Sequence, residues 1–236
     1  MVYKCYKGST FIKKIYAGAN RIKRVYKGST LVWNLHPYEP NTTVYESSTG
    51  GATTTLSLEA GLYRVICIGA GGGGSGGYNP AAGAKSTGGG SGSGFNCVFN
   101  LSKGNYAIAV GSGGTTHSSA GTTSNGGNGG NSRFGTSYAY GGGGSYTKNS
   151  YTDSEHTVGS GGSAPTITYT RTSTTLNSSG NNGSYASGMY DATGAGGAAV
   201  YSSYGKGGQV GAHKDSATTT TNGASGYVKV VYIDQP

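Results

Sequence analysis

The sequence predicts an all-β protein, in which a small N-terminal β-meander of ten-residue repeats precedes a glycine-rich, β-sandwich-like domain with polyglycine segments of the polyproline-II type. Three observations predict this fold. Glycine supplies 48 of the 236 residues, while charged residues supply only 11%. Short runs of alternating apolar and polar residues recur at strand length. No segment repeats its apolar residues at a helical period over three turns, so helices are not expected.

The first 36 residues contain an internal repeat. The segments "YKGST", "YAGAN" and "YKGST" place Gly8, Gly18 and Gly28 ten residues apart, and "FIKKI", "RIKRV" and "LVWNL" follow them. Strands separated by evenly spaced turns predict an antiparallel meander. Because neither face is cleanly apolar, this sheet is expected to need a neighbour, which predicts a docking or oligomerisation module over 1–36. The two prolines of "HPYEP" predict a linker over 37–49.

Positive charge is concentrated in the same N-terminal segment. The first 38 residues contain eight Lys and Arg residues and no acid, whereas the whole chain carries a net charge of +9. The favoured interpretation is docking on another protein, because the lysines lie on repeats that lack a core of their own. Nucleic-acid binding is a second, less favoured interpretation, and a solvated edge that prevents sheet aggregation is a third. The docking candidates are Lys13, Lys14, Arg21, Lys23, Arg24 and Trp33.

Strands at the start, middle and end of residues 50–236 predict one shared framework. "TTTLSLEAGLYRVICI" predicts two strands paired around a turn at Glu59–Gly61, and "GFNCVFNLSKGNYAIAV" predicts a second pair around Lys103–Asn105. "GYVKVVYI" predicts a closing strand. Residues of alternating position are expected to share one buried face, namely Phe95, Cys97, Phe99 and Leu101 in one strand and Tyr106, Ile108 and Val110 in the next.

The glycines between these strands raise the question of a dinucleotide site. Gly69, Gly71 and Gly74 fit G-x-G-x-x-G directly after a strand. However, the chain continues with a proline and more glycine, which cannot propagate the helix that such a site requires, and the usual acid about 20 residues later is missing. The glycine runs are therefore either flexible linkers or polyproline-II strands packed side by side. Their even interleaving with strands favours the ordered alternative.

Neither catalytic nor metal-binding chemistry is indicated. Asp153, Glu155 and His156 form an acid–histidine cluster in a polar loop, where a solvated surface is the better interpretation. Cys5, Cys67 and Cys97 are too far apart for a disulfide framework or a zinc site, and the latter two read as small buried residues. No signal peptide, membrane insertion, cofactor or metal is expected.

Tyrosines set among Ser, Gly and Asn resemble the composition of binding loops, where Tyr gives rigid contact area and small polar residues adapt. They are also expected in a second role, packing against the glycine layer to protect it. A surface glycan or an outer-membrane protein loop fits the first role. The receptor-contact candidates are Tyr146, Tyr151, Tyr169, Tyr185, Tyr190, Tyr201 and Tyr204.

The order of these elements resembles a known family. A strand leading into "IGAGGGG", then "NGGNGGNSRFG", "YGGGGS" and finally "GASGYVKVVYI", is similar to the glycine-rich domain at the ends of bacteriophage tail fibres and related adhesins. The resemblance covers roughly residues 50–233, and "VYKGSTLVW" is similar to segments at the start of phage structural proteins. It implies a virion protein whose glycine-rich layer carries variable surface loops for receptor recognition.

We therefore expect a non-enzymatic bacteriophage virion protein, made in the host cytoplasm and displayed on the particle surface. A tail-associated fibre or adhesin would dock on other virion proteins by its N-terminus and recognise the host through loops near 145–204, as a homo-oligomer. One alternative is a head fibre or capsid decoration protein without a receptor role. Another is a glycine-rich extracellular structural or ice-binding protein, which the irregular Thr53–Thr55 and Thr218–Thr221 clusters disfavour.

Overall fold

The structure is a computed structural model. It describes residues 36–81, 83–119, 123–149, 154–213 and 217–234, together with the backbone of paired strands within 6–34. Every regular element in these residues is a β-strand, and none is a helix, which confirms the all-β fold class.

The N-terminal repeats form short antiparallel hairpins, one for each ten-residue repeat, as their even spacing predicts. The strands are β1 (Tyr6–Lys7), β2 (Thr10–Phe11), β3 (Tyr16–Ala17), β4 (Asn20–Arg21), β5 (Arg24–Lys27) and β6 (Thr30–Asn34). Of the docking candidates, Arg21, Arg24 and Trp33 belong to these strands. Lys13, Lys14 and Lys23 lie outside the described residues.

The remaining strands alternate with glycine-rich runs. They are β7 (Thr43–Ser47), β8 (Thr53–Leu58), β9 (Gly61–Ile68), β10 (Ser75–Asn79), β11 (Gly83–Thr87), β12 (Gly94–Leu101), β13 (Gly104–Ala109), β14 (His117–Ser119), β15 (Thr123–Asn125), β16 (Ser132–Phe134), β17 (Ser137–Ala139), β18 (Tyr146–Asn149), β19 (Ser154–Thr157), β20 (Arg171–Ser178), β21 (Tyr185–Gly188), β22 (Asp191–Gly194), β23 (Gln209–His213), β24 (Ala217–Thr221) and β25 (Tyr227–Asp234).

Two facing antiparallel sheets build the framework end of the molecule. One has the strand order β20-β12-β9-β25-β7, and the other has the order β17-β16-β13-β8. Their inward faces bury one aromatic and aliphatic core, to which both predicted alternating faces contribute. Its members include Tyr63, Val65, Phe95, Cys97, Phe99, Leu101, Tyr106, Ile108, Val110, Phe134 and Tyr232. Strands from the beginning, middle and end of the domain thus form the shared framework that the sequence predicts.

The pairing predicted around the two framework turns is wrong. β8 pairs with β13, and β9 pairs with β12, so each turn connects the two sheets instead of two neighbours in one sheet. A turn sequence fixes a change of chain direction but not whether the chain returns in the same sheet. Because the chain passes from one sheet to the other at each turn, β9 and β13 both present their apolar faces to the same core.

The segment predicted as a linker over 37–49 is packed on the framework. β7 pairs antiparallel with β25 and completes the five-stranded sheet. Before it, the ring of His36 is buried and stacks on that of Tyr232, with ring centroids 3.8 Å apart. The prolines at 37 and 40 therefore mark a bend between His36 and β7.

Ten glycine-rich runs join the strands within the described residues, and we call them together the lattice. They are 69–74, 88–93, 111–116, 126–131, 141–145, 158–163, 179–184, 194–199, 205–208 and 222–226. In the first run, Gly69 and Gly72 donate their N–H groups to one neighbouring run, Ala70 and Gly73 to a second, and Gly71 to a third. The acceptors, at 2.8–3.0 Å, are the carbonyl oxygens of Ser93, Gly90, Gly130, Gly127 and Ala224.

This period of three residues is that of polyproline II, so the ordered alternative for the glycine runs is correct. The same run also accepts hydrogen bonds from runs 111–116, 141–145 and 205–208. It is therefore surrounded by other runs on all sides. Run 88–93 is surrounded in the same way, and the other eight runs form the rim around these two.

Glycine is required in the lattice because the backbones approach closely. A Cβ atom added at Gly72 would fall on the carbonyl oxygen of Gly143, and one added at Gly89 would fall on that of Gly72. Among the described lattice glycines, only Gly205 has a positive φ, so conformation alone does not explain the others. The missing side chain is what lets each run touch its neighbours.

Candidate functional site

The chain crosses the lattice ten times in alternating directions, so the strands collect at its two ends. Opposite the framework end lie three small sheets that we call the tip. Their strand orders are β14-β10-β11-β21, β15-β18-β19 and β22-β23-β24. The N-terminal segment joins the domain at the far side of the framework, because His36 contacts Tyr63 and Tyr232, which lie at the ends of their strands remote from the lattice. The tip and the junction with the N-terminal segment are therefore at opposite ends of the domain.

The tip is held together by small side chains instead of large apolar ones. A buried hydroxyl cluster links three of its strands with the adjoining lattice run. The Thr87 Oγ1 lies 2.8 Å from the Ser75 Oγ and 2.9 Å from the Thr147 Oγ1, while the Ser145 hydroxyl donates to the Ser75 Oγ at 3.0 Å. Each buried hydroxyl finds a partner, which a dry interior requires. Beside this cluster, Ala84, Ala192 and Ala212 form a compact apolar contact.

The seven tyrosine candidates have different environments. The ring of Tyr169 packs edge-on against Phe99 and Phe134 at the framework end. The rings of Tyr201 and Tyr204 stack on Tyr227, on the other face of the five-stranded sheet. These three side chains pack on aromatic residues of the framework.

The other candidates belong to the tip or lie beyond the described residues. Tyr146 is half-buried in β18. The ring of Tyr185 stacks on that of His156, with centroids 3.6 Å apart. Tyr190 lies in the turn between β21 and β22 and is 56% exposed. Tyr151 lies outside the described residues.

A cleft opens at the tip between the turn that follows β10 and the turn that follows β21. It has a volume of about 640 Å³. Its lining side chains are Tyr78, Pro80, Ala81, Lys85, Ser187, Met189 and Tyr190, and the backbone of Gly83 and Gly188 completes it. Sequence reasoning proposed Tyr190 but missed the rest, because the topology alone brings these two distant turns together. The one available signal was the Asn-Pro turn at the end of β10.

The acid–histidine cluster of the polar loop is described only in part. Glu155 and His156 are exposed on β19, and Asp153 lies outside the described residues. No group of three or more metal-ligating side chains occurs where the structure describes the chain. Burial raises the pKa of the Cys67 thiol far above its ordinary range, so this group is an inert part of the core. The described residues contain no helix long and apolar enough to cross a membrane.

The comparison with protein families fits this architecture. A family model described as a glycine-rich domain matches residues 46–233. The chain belongs to this family. The match begins within β7 and ends within β25, so the glycine-rich domain comprises the framework, the lattice and the tip. A search of curated proteins finds no match to the chain.

Proposed function

We propose that this glycine-rich domain protein is a non-enzymatic virion component of a bacteriophage, a tail-associated fibre or adhesin that recognises the host surface with its tip. The observation that carries the proposal is the separation of the two ends. The N-terminal segment joins the domain at one end, and the tip, with its exposed turns, lies at the other. A protein that must hold a particle and a cell at the same time needs this polarity.

The distribution of charge supports docking by the N-terminal segment. Eight of the 17 Lys and Arg residues precede residue 39. Complementary charge steers association between proteins and fixes their relative orientation. We propose that the hairpins β1–β6 dock on another, more acidic virion protein, with the protein present as a homo-oligomer in the particle.

The fold narrows the proposed recognition region of residues 145–204. Within this range, the strands β18 and β19 and the turn between β21 and β22 belong to the tip, whereas residues 164–170 and 200–204 belong to the framework end. Tyr185 and Tyr190 remain as proposed contacts. The turn after β10, which lies outside residues 145–204, lines the same cleft as Tyr190.

Binding of the fluorescently labelled full-length chain to intact bacteria from its source environment tests the proposal. We expect binding to at least one strain, and we expect the double variant Y185S/Y190S to bind at least ten-fold more weakly. The matched control is Lys103→Ser, because this exposed lysine lies at the framework end. Binding that K103S weakens but Y185S/Y190S does not would contradict recognition by the tip. Association with phage particles but with no cell would favour an architectural role on the head.

A further inference from the structure

We infer that the tip cleft binds a saccharide that carries a carboxylate or phosphate group. The inference rests on the proposed function, since a bacterial surface is what would present such a sugar. The juxtaposition that carries it is the Tyr190 side chain beside Lys85 and Ser187, which line the same cleft.

The strand register sets the polar side of the cleft. Lys85 pairs with Ser187 on one neighbouring strand and with Gly77 on the other, so the three residues face the same side of the sheet. Lys85 is half-buried and has no ion-pair partner among the described residues. A partly buried lysine attracts an anionic ligand and forms strong charge-assisted hydrogen bonds with it.

The opposite side of the cleft provides flat, partly apolar surface. Tyr190 and Met189 are 56% and 74% exposed. Tyrosine offers an apolar ring face together with a polar hydroxyl. A sugar ring matches this surface, because its C–H groups pack on a ring face while its hydroxyls reach polar neighbours such as Ser187. The volume of about 640 Å³ lies within the range of roughly 300–1,000 Å³ for small-ligand sites.

The shape of the cleft is fixed before a ligand arrives. Gly83 has a φ of +74°, and a Cβ atom there would lie 2.6 Å from the Gly188 carbonyl oxygen, so the two turns touch only because this residue is glycine. At the start of the turn after β10, the Asn79 side-chain oxygen accepts a hydrogen bond from the Ala81 N–H at 2.9 Å and stabilises the turn. A preformed site loses less entropy on binding.

The same geometry disfavours a peptide as the ligand. An extended peptide binds by adding a strand along an open sheet edge. The cleft lies instead at the ends of β11 and β21, where Ala84 and Gly188 are the last pair in the ladder. The cleft therefore reaches only the last residues of the edge strand β21, whereas a compact sugar needs no backbone ladder.

Methionine-methyl NMR of the full-length chain tests this inference. The chain has two methionines, Met1 and Met189, so one labelled methyl group reports on the cleft and the other serves as an internal control. Glucuronic acid and glucose 6-phosphate are the charged probes. Glucose and inorganic phosphate test the ring and the charge separately. We expect saturable shifts of the Met189 signal with both charged sugars, at least ten-fold weaker binding of glucose and of phosphate, and no shift of the Met1 signal.

Variants separate the two sides of the cleft. Lys85→Gln is expected to remove the preference for charged over neutral sugar, whereas the control Lys103→Gln keeps it. Tyr190→Ser is expected to weaken all sugar binding, and Tyr190→Phe is expected to retain it. Equal binding of glucose and glucuronic acid, unchanged binding by K85Q, or tighter binding of triglutamate than of either charged sugar would each overturn the inference.

The result also separates the inference from the proposed function. If the charged sugars shift the Met189 signal but the chain binds no bacterial cell, the cleft is assigned correctly and host attachment is wrong. If cells bind K85Q and wild type equally and no sugar shifts the Met189 signal, host attachment survives and the saccharide site is wrong.

Discussion

His36 shows how one side chain joins the N-terminal segment to the framework. The Tyr63 hydroxyl donates its single hydrogen to the Glu59 carbonyl oxygen at 3.0 Å. The His36 Nε2, 3.1 Å from the Tyr63 hydroxyl oxygen, must therefore be the donor in that contact, while the Tyr38 N–H donates to the His36 Nδ1 at 3.2 Å. These contacts select the neutral imidazole protonated at Nε2, because a proton on Nδ1 would face the Tyr38 N–H.

We predict that this contact makes folding stability depend on pH. Burial is the main cause that lowers the pKa of His36 below 6.5, against smaller opposing contributions from the backbone at Tyr38 and from Glu59. The unfolded chain binds the proton at His36 more readily than the folded chain. The contribution of this contact to the free energy of unfolding is therefore fully present above about pH 6.5 and is lost as the pH falls through the folded-state pKa. Urea unfolding at pH 7.5 and 5.5 measures the loss. His36→Phe, which keeps a stacked ring, is expected to reduce it, and an unchanged pH dependence in H36F would contradict this account.

The tyrosines show the limit of prediction at the scale of single residues. Tyr169, Tyr185 and Tyr204 all lie among small polar residues, and the sequence gives each the same two possible roles. In the structure Tyr169 packs on Phe134, Tyr204 stacks on Tyr227, and Tyr185 reaches the tip. The three tyrosines differ in the end of the lattice at which their segments emerge. That end can be assigned only when every preceding crossing of the lattice by the chain is known.

At the scale of elements, each glycine run depends on its neighbours. A polyproline-II segment has no internal hydrogen bonds, so its donors and acceptors must be satisfied by other runs. Successive N–H groups of one run point to three different neighbours. Ordering glycine costs more entropy than ordering other residues, and the dense hydrogen bonding between runs offsets that cost. The lattice is therefore expected to form and unfold as one unit.

A single methyl group inside the lattice is predicted to be strongly destabilising. In Gly72→Ala the new Cβ would overlap the Gly143 carbonyl group, which is backbone and cannot rotate away. We expect a loss of about 3 kcal/mol or more in the free energy of unfolding, at the upper end for overpacked sites. The matched control is Gly104→Ala in β13, where the nearest atom belongs to the Tyr106 side chain at 3.9 Å. If urea denaturation gave the same loss in the free energy of unfolding for both variants, the close packing of the lattice would be contradicted.

The elements differ in how far the sequence predicts them. β12 alternates large apolar residues with polar ones, and β9 and β25 are rich in large apolar residues, so their patterns are visible in the sequence. The tip strands, such as β11 with the sequence "GAKST", bury glycine, alanine and hydroxyl side chains instead. Because a hydroxyl cluster replaces large apolar residues there, hydrophobic periodicity carries no signal for these strands.

At the scale of the whole molecule, the lattice is a stiff spacer between two ends. A run of six residues at about 3.1 Å per residue spans roughly 19 Å. Hydrogen bonds in three directions prevent the runs from bending independently, so the tip keeps its orientation relative to the framework. The sequence predicts the alternation of runs and strands. It does not predict the lateral order of the runs, since every run presents nearly the same glycine backbone to its neighbours.

Amide hydrogen exchange, followed by NMR, tests most directly the claim that the glycine runs form an ordered lattice. Gly72 and Gly90 donate interior hydrogen bonds at 2.8 and 3.0 Å, and Val65 lies in the buried core of β9. If lattice and framework unfold together, the amides of Gly72 and Gly90 exchange within about ten-fold of the rate at Val65. Exchange of both glycines at the rate of an unstructured linker, with Val65 still protected, would contradict the account.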